Sequence, residues 1–336
     1  MRIWLCIFAY LIMVPQAHAR DQIRIVGSST VFPFVAAAAE QFGKDESFRT
    51  PIVEATGTGG GIQMFCSGID LTTPDMVNAS RQIKSSEIAL CHENGVDKIT
   101  ELKIGYDGIV MANAIESPTF NLTKAELFLA LAKYVPINGK LVENSYQQWN
   151  EISPELPELE ISIYGPPPTS GTRDAFAELI MKKGCEHFPE FAERHPDEDE
   201  LEKACMAVRE DGKFIEAGEN DNLIVQKLVT NPAAIGVFGY NFLEQNAAMV
   251  KANPINGVMP SFENIVDGKY QVARSLYVYV KNGHADKVPG IREFARLLTS
   301  DSAVGESGFL ILKGLLPAHP EEHQAIKKAA AELTPL

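Results

Sequence analysis

Apolar and polar positions alternate in blocks that change period at three similar places. Ile23-Arg24-Ile25-Val26 reads as a strand running into Gly27-Ser28-Ser29-Thr30. Beyond that turn Val31, Phe34, Val35, Ala38 and Phe42 recur at helical spacing, with Pro33 where an early helical turn tolerates it. Residues 51–55 form a second strand-like run before Gly57-Thr58-Gly59-Gly60-Gly61, after which Ile62, Phe65 and Ile69 mark a helix face. Residues 159–164 form a third, followed by three prolines, Thr169-Ser170-Gly171-Thr172, and a helix carrying Phe176, Leu179 and Ile180. Strand, turn and helix in this order predict α/β layers, with ligands beyond the carboxyl ends of the strands, where the three turns lie.

Two further apolar runs, 102–111 and 270–280, stand apart from this pattern. They suit strands that cross between two domains, the first of which would contain both chain termini. The expected division of the 336 residues is one lobe of 20–109 plus 274–336 and a second of 110–273. Two proper cores fit a chain of this length. No internal repeat is visible.

The turns carry the candidate chemistry. A helix start presents unpaired N–H groups and the positive end of a macrodipole, so it favours an anion. Small residues let the backbone come close, and Ser and Thr add rotatable donors. One such turn says little; three suggest donors converging on a tetrahedral oxyanion. Arg81, in Asn78-Ala79-Ser80-Arg81, and Arg173, directly after the third turn, add planar forks of donors for two oxygens of a phosphate-like group. The plainer alternatives are surface arginines and, for Ser29, Thr30, Ser170 and Thr172, ordinary helix N-caps.

Compartment follows from the N-terminus and the cysteines. Arg2 precedes an apolar run over 3–14 that leads to Ala17-His18-Ala19, an export segment with cleavage expected after Ala19. The run is too short to span a bilayer. Cleavage removes Cys6 and leaves Cys66, Cys91, Cys185 and Cys205, an even set that favours disulfides in an exported chain. Pairing of neighbours, Cys66 with Cys91 and Cys185 with Cys205, is the simplest of three connectivities; a metal site using His187 and His195 is the rival. The net charge of −14 becomes −15 when Arg2 is removed, a balance unsuited to nucleic acid or an anionic membrane surface. Any anion must therefore be captured by local donors against an unfavourable overall field. The acidic stretch 190–202 is expected to be a solvated surface face or loop, with partner docking as the alternative.

Gly27-Ser28-Ser29-Thr30-Val31-Phe32-Pro33, the glycine-rich turn, Asn78-Ala79-Ser80-Arg81 and Thr169-Ser170-Gly171-Thr172-Arg173 occur in an order that resembles PstS-type phosphate-binding proteins, the periplasmic receptors of phosphate ABC transporters. Asn231 to Tyr240 and Ala273 to Val280 look like the same family, so the resemblance covers essentially the whole chain beyond residue 19. It implies a class II periplasmic binding fold: two α/β domains joined by two crossing strands, closing on one inorganic phosphate for delivery to a membrane permease. It implies no catalysis, no cofactor, no metal and a monomer in the periplasm. Its ligand set carries over to Ser29, Thr30, Val31, Thr58, Ser80, Arg81, Ser170, Gly171 and Thr172, with Arg173 added from its position.

This chain departs from some members at two points. Arg81 stands where they place an aspartate that accepts from protonated phosphate, and Gly165-Pro166-Pro167-Pro168 stands where they carry an arginine. Phosphate near neutral pH brings a proton that needs an acceptor, whereas sulfate needs donors alone. Asp174 or a backbone carbonyl is the candidate acceptor, and another oxyanion such as sulfate is the alternative ligand. A rival from another class is a secreted hydrolase using Ser29 or Ser170, which would require a base beside the serine. Neither serine lies in a G-x-S-x-G context, and the third turn lacks the G-K-[ST] of a nucleotide-binding loop. A third class is an adhesin or sensory subunit on the same scaffold, with 190–202 as its docking element.

Overall fold

The computed structural model describes residues 20–218 and 221–336; the export segment expected over 1–19 lies outside the described residues. Its strands are β1 (Arg24–Gly27), β2 (Ile52–Ala55), β3 (Met76–Ala79), β4 (Ile99–Ala114), β5 (Tyr134–Ile137), β6 (Lys140–Glu143), β7 (Ile163–Gly165), β8 (Phe214–Glu216), β9 (Ile235–Gly239), β10 (Val250–Ala252) and β11 (Ala273–Lys281). Nine of them form one curled mixed sheet in the order β2-β1-β3-β11-β4-β9-β7-β8, with β10 also on β4, and β5–β6 make a separate hairpin.

Strands β2, β1 and β3 run parallel at one end, and β8, β7 and β9 run parallel at the other. Between them β4 and β11 pair antiparallel along their length, from Lys281 opposite Ile99 to Ala273 opposite Gly108. These two are the crossing strands expected from the apolar runs. The register slips between Leu276 and Tyr277, a bulge that bends the ribbon where it passes from one lobe to the other.

Apolar burial separates accordingly. One cluster gathers Ile25, Val35, Phe42, Leu102, Val278 and Phe294; another gathers Val110, Leu127, Trp149, Phe176, Ile235 and Val272. A smaller one surrounds Phe65, Cys66 and Cys91. The first helix, Phe32–Phe42, buries Phe34, Val35, Ala38 and Phe42, the face its spacing predicts, and the Phe42 ring meets Phe294 edge-on at 5.3 Å.

Disulfides join Cys66 to Cys91 and Cys185 to Cys205, the neighbouring pairs. The metal alternative at Cys185 and Cys205 is thereby excluded, because their sulfurs are bonded to each other. Among the described residues no helix is long and apolar enough to cross a membrane.

Two expected elements end elsewhere than the sequence pattern places them. The third strand is shorter than 159–164, because Leu159 O and the Ile161 N–H bond instead to Trp149 and Gln147 beside the sheet. The helix after the glycine-rich turn, Thr58–Phe65, stops before Ile69; Gly68 takes φ 155° and Ile69 is 38% exposed. The acidic stretch is, as expected, mostly an exposed face. It forms parts of the helices Pro189–Arg194 and Glu198–Met206, and Glu198 and Glu202 reach the cavity between the lobes.

Candidate anion-binding site

The first two turns come together because two glycines allow backbone to touch backbone. A Cβ at Gly61 would lie 2.5 Å from the Gly27 Cα, and one at Gly27 would lie 2.0 Å from the Asn78 carbonyl oxygen. This packing sets the ends of β1 and β3 and the start of helix Thr58–Phe65 side by side. Ser29, Thr30, Thr58, Gly59, Ser80 and Arg81 consequently line one cavity of about 400 Å³, facing Asp174, Glu178 and Lys182 from the other lobe. The Ser80 N–H donates to Thr58 Oγ1 at 3.2 Å, and the two hydroxyls lie 3.1 Å apart.

Arg81 reaches this cavity, and its fork is held by Glu87 through two hydrogen bonds of 2.9 and 2.7 Å. Glu87 also accepts from the Lys84 N–H at 2.8 Å, at the start of helix Ser85–Glu93. Burial pushes the Glu87 carboxyl up, but the bonds from Arg81 and Lys84 outweigh it and hold the group below its ordinary value. The hydrogen bond to Glu87 in turn raises Arg81 above its ordinary value.

Arg274, outside the expected ligand set, joins the cavity. It is the second residue of β11, and its side chain is 7% exposed. Its guanidinium donates to Thr30 Oγ1 at 2.6 Å and to Glu178, and its Nε lies 3.7 Å from Asp107 on the paired strand. Burial raises the Asp107 carboxyl, opposed by Arg274. The signal was an arginine at the mouth of a run already read as a crossing strand. Lys84, Glu178 and Lys182 also line the cavity, as do Glu198 and Glu202 of the acidic stretch, which the sequence offers only as surface charge.

The third turn sits differently from expectation. Ser170 is a helix N-cap, its Oγ accepting from the Thr172 N–H at 3.2 Å, so that donor is already engaged. Gly171 lies against Thr30, whose Oγ1 donates to the Gly171 carbonyl at 3.4 Å. Arg173 points away: its guanidinium stacks 4.2 Å over the Phe214 ring in a separate hollow, and desolvation there lowers its pKa. The Val31 N–H points to Ser28 Oγ at 3.4 Å and its side chain is buried in the first lobe. Ser170, Gly171, Thr172, Arg173 and Val31 thus all stand outside the residues lining the cavity, and of the expected set the structure brings Ser29, Thr30, Thr58, Ser80 and Arg81 to it.

Among the described residues no histidine lines the cavity, and the Ser29 hydroxyl donates to the Asp174 carboxylate. Donors crowd one wall and carboxylates the other, with the crossing strands behind. This is the layout of a binding cleft between two lobes.

The family model for the PBP superfamily domain matches residues 14–302, and the chain belongs to that family of two-lobed solute-binding proteins. It is 32% identical to protein SphX of Synechococcus elongatus, over 90% of this chain and 81% of that protein. It is 30% identical to the phosphate-binding protein PstS of Staphylococcus saprophyticus, over 85% of this chain and 79% of that one. Among solved structures, a possible phosphate binding protein from Planctomyces limnophilus aligns with a TM-score of 0.75 and 25% identity, covering 93% of this chain and 98% of its own. PstS from Borrelia burgdorferi, at 18% identity and a TM-score of 0.59 over 89% of this chain and 100% of its own, shares the fold.

Proposed function

We propose that this protein captures inorganic phosphate between its lobes and delivers it to the membrane permease of an ABC transporter. The observation that carries the reading is the cavity in which two turn-borne hydroxyl pairs, Ser29–Thr30 and Thr58–Ser80, meet Arg81 and Arg274. Relatives named for phosphate binding support the choice of anion.

In this reading lobe 1 comprises 20–109 plus 274–336 and lobe 2 comprises 110–273, a division supported by the separate apolar clusters. Lobe 1 supplies Ser29, Thr30, Thr58, Ser80 and Arg81, with Arg274 from the crossing strand. Ser170, Gly171 and Thr172 close against them from lobe 2. An anion that contacts both walls stabilises the closed form, and the permease reads that shape. Both walls come from one chain, which supports a monomeric working unit. Export with cleavage after Ala19 to the periplasm completes the proposal, with no catalytic step, metal or cofactor.

Carboxylates on the second wall favour phosphate over sulfate, since a protonated oxyanion can donate to them and a fully ionised one is repelled. Competitive calorimetry with phosphate and sulfate across pH 5 to 9 is the test. Saturable phosphate binding that sulfate displaces weakly is expected; binding of neither anion defeats the proposal. Turnover of a chromogenic ester that vanishes in Ser170→Ala would instead reinstate the hydrolase.

A further inference from the structure

Two side chains of the second lobe already engage donors of the first. Asp174 accepts from the Ser29 hydroxyl, and Glu178 accepts from the Arg274 guanidinium. The second pair matters more, because Arg274 is the most buried cation of the cavity and its Nε has no hydrogen-bond partner. Asp107 is 3.7 Å from that Nε, beyond hydrogen-bond distance. Glu178 is therefore the carboxylate in hydrogen-bond contact with Arg274 among the described residues.

The backbone places Glu178 there by an unusual device. Residues Ala177–Lys182 form a π-helical turn directly after helix Gly171–Phe176, and both Glu178 and Lys182 line the cavity. Such turns are rare and concentrate at functional positions. Lys182 is tied to Glu202 at 2.7 Å, so it leaves the charge of Glu178 to Arg274.

We infer that Glu178 is an affinity-setting residue, an internal anion that competes with the solute for Arg274. This rests on the phosphate-binding reading and deepens it. A planar guanidinium fork gives its best geometry to one oxyanion at a time. A solute oxygen arriving at Arg274 must share or displace the Glu178 carboxylate, and while both remain they repel at short range. The same pair spans the two lobes, so it gives the closed form a population of its own, which the solute inherits by exchanging one anion for another. Return of Glu178 to Arg274 then assists release.

Calorimetric titration with sodium phosphate and sodium sulfate tests this on wild type, Glu178→Gln, Glu178→Asp, Arg274→Gln and the double variant Glu178→Gln/Arg274→Gln. Glu178 is 44% exposed, so its substitutions remove no core packing. Glu178→Gln is expected to tighten both anions about five- to tenfold in the wild-type background and to give no gain in the Arg274→Gln background. Glu178→Asp keeps the charge but shortens the reach, and is expected to tighten binding as well. Weaker or unchanged binding in Glu178→Gln overturns the inference and makes Glu178 a residue that positions Arg274. An equal gain in both backgrounds, or no gain in Glu178→Asp, overturns it in favour of diffuse charge. Wild type that binds neither anion brings down the parent reading together with this one; wild type that binds while the variants fail brings down this one alone.

Discussion

Gly171 lies directly against Thr30: a Cβ at Gly171 would stand 3.0 Å from the Thr30 Cα, and the Thr30 hydroxyl donates to the Gly171 carbonyl at 3.4 Å. The two lobes thus meet backbone to backbone, with no room for a side chain between them. Gly171→Val places two methyl groups in that contact and should hold the lobes apart. Phosphate affinity is expected to fall by roughly 10-fold or more, while the melting temperature changes little, because each core is untouched. Small-angle scattering with saturating phosphate checks the cause: wild type should contract and the variant should not.

Arg81 presents its guanidinium to the cavity while Glu87 fixes two of its donors. In the proposed function, removing the side chain takes away a charge-assisted contact to the solute, and it also leaves Glu87, which is partly buried, without its partner. Arg81→Ala should therefore cost about 1.5–3 kcal/mol of binding free energy. Glu87→Gln keeps the cation but loosens its aim, so its loss should be smaller. Low-salt calorimetry separates the two, and an unchanged Arg81→Ala titration removes Arg81 from the site.

The fold was legible where periodicity and burial agree. Val31, Phe34, Val35, Ala38 and Phe42 give a helix because all five are buried on one face. The runs around 102–111 and 270–280 are apolar because β4 and β11 sit mid-sheet and are covered over most of their length. Leu159 and Ile69 misled for the converse reason. Leu159 packs beside the sheet, where bonds to Trp149 and Gln147 set the strand's start, whereas Ile69 is exposed beyond Gly68, whose φ of 155° lies past the end of the helix.

The site was half legible. Turns with small and hydroxyl residues do gather along one wall of the cavity, since close backbone approach imposes those residue types locally. The direction of an arginine is set by distant neighbours, and sequence carries no local trace of it. Phe214 draws Arg173 out of the cleft, whereas Thr30 and Glu178 draw Arg274 into it. The acidic residues of lobe 2 read as solvated charge, and their presence at the cavity follows from how the Cys185–Cys205 disulfide ties the 183–206 segment together.

Asp174 offers the acceptor that a protonated anion needs. It lines the cavity and takes the Ser29 hydroxyl as donor, leaving further lone pairs for the solute. Asp174→Asn should weaken phosphate by about tenfold while leaving sulfate unchanged or improved, narrowing the preference between them. Ser29→Ala, which removes the shared donor, should weaken both anions alike. A parallel loss for both anions in Asp174→Asn would reduce Asp174 to a clasp on Ser29.

Lys281 is fully buried, with its ammonium on the Gly68 carbonyl at 2.7 Å and Thr73 Oγ1 at 2.6 Å, 5.0 Å above the Phe65 ring. Asp75, itself bonded to His284 at 2.7 Å and to Arg20, lies close by. Burial pushes the Lys281 pKa down to about 8, with Asp75 pulling it up and Arg20 adding to the fall. The unfolded chain keeps that proton to about pH 10.4, so between about pH 8 and there the unfolded state binds more protons and this group's contribution to stability rises with pH. The whole shift corresponds to a change on the order of 3 kcal/mol. Urea unfolding of wild type and Lys281→Met at pH 7 and pH 9.5 isolates it from other titrating groups. The stability of wild type relative to the variant should increase at the higher pH; a difference that stays flat or falls would show that Lys281 keeps an ordinary proton affinity in the folded protein.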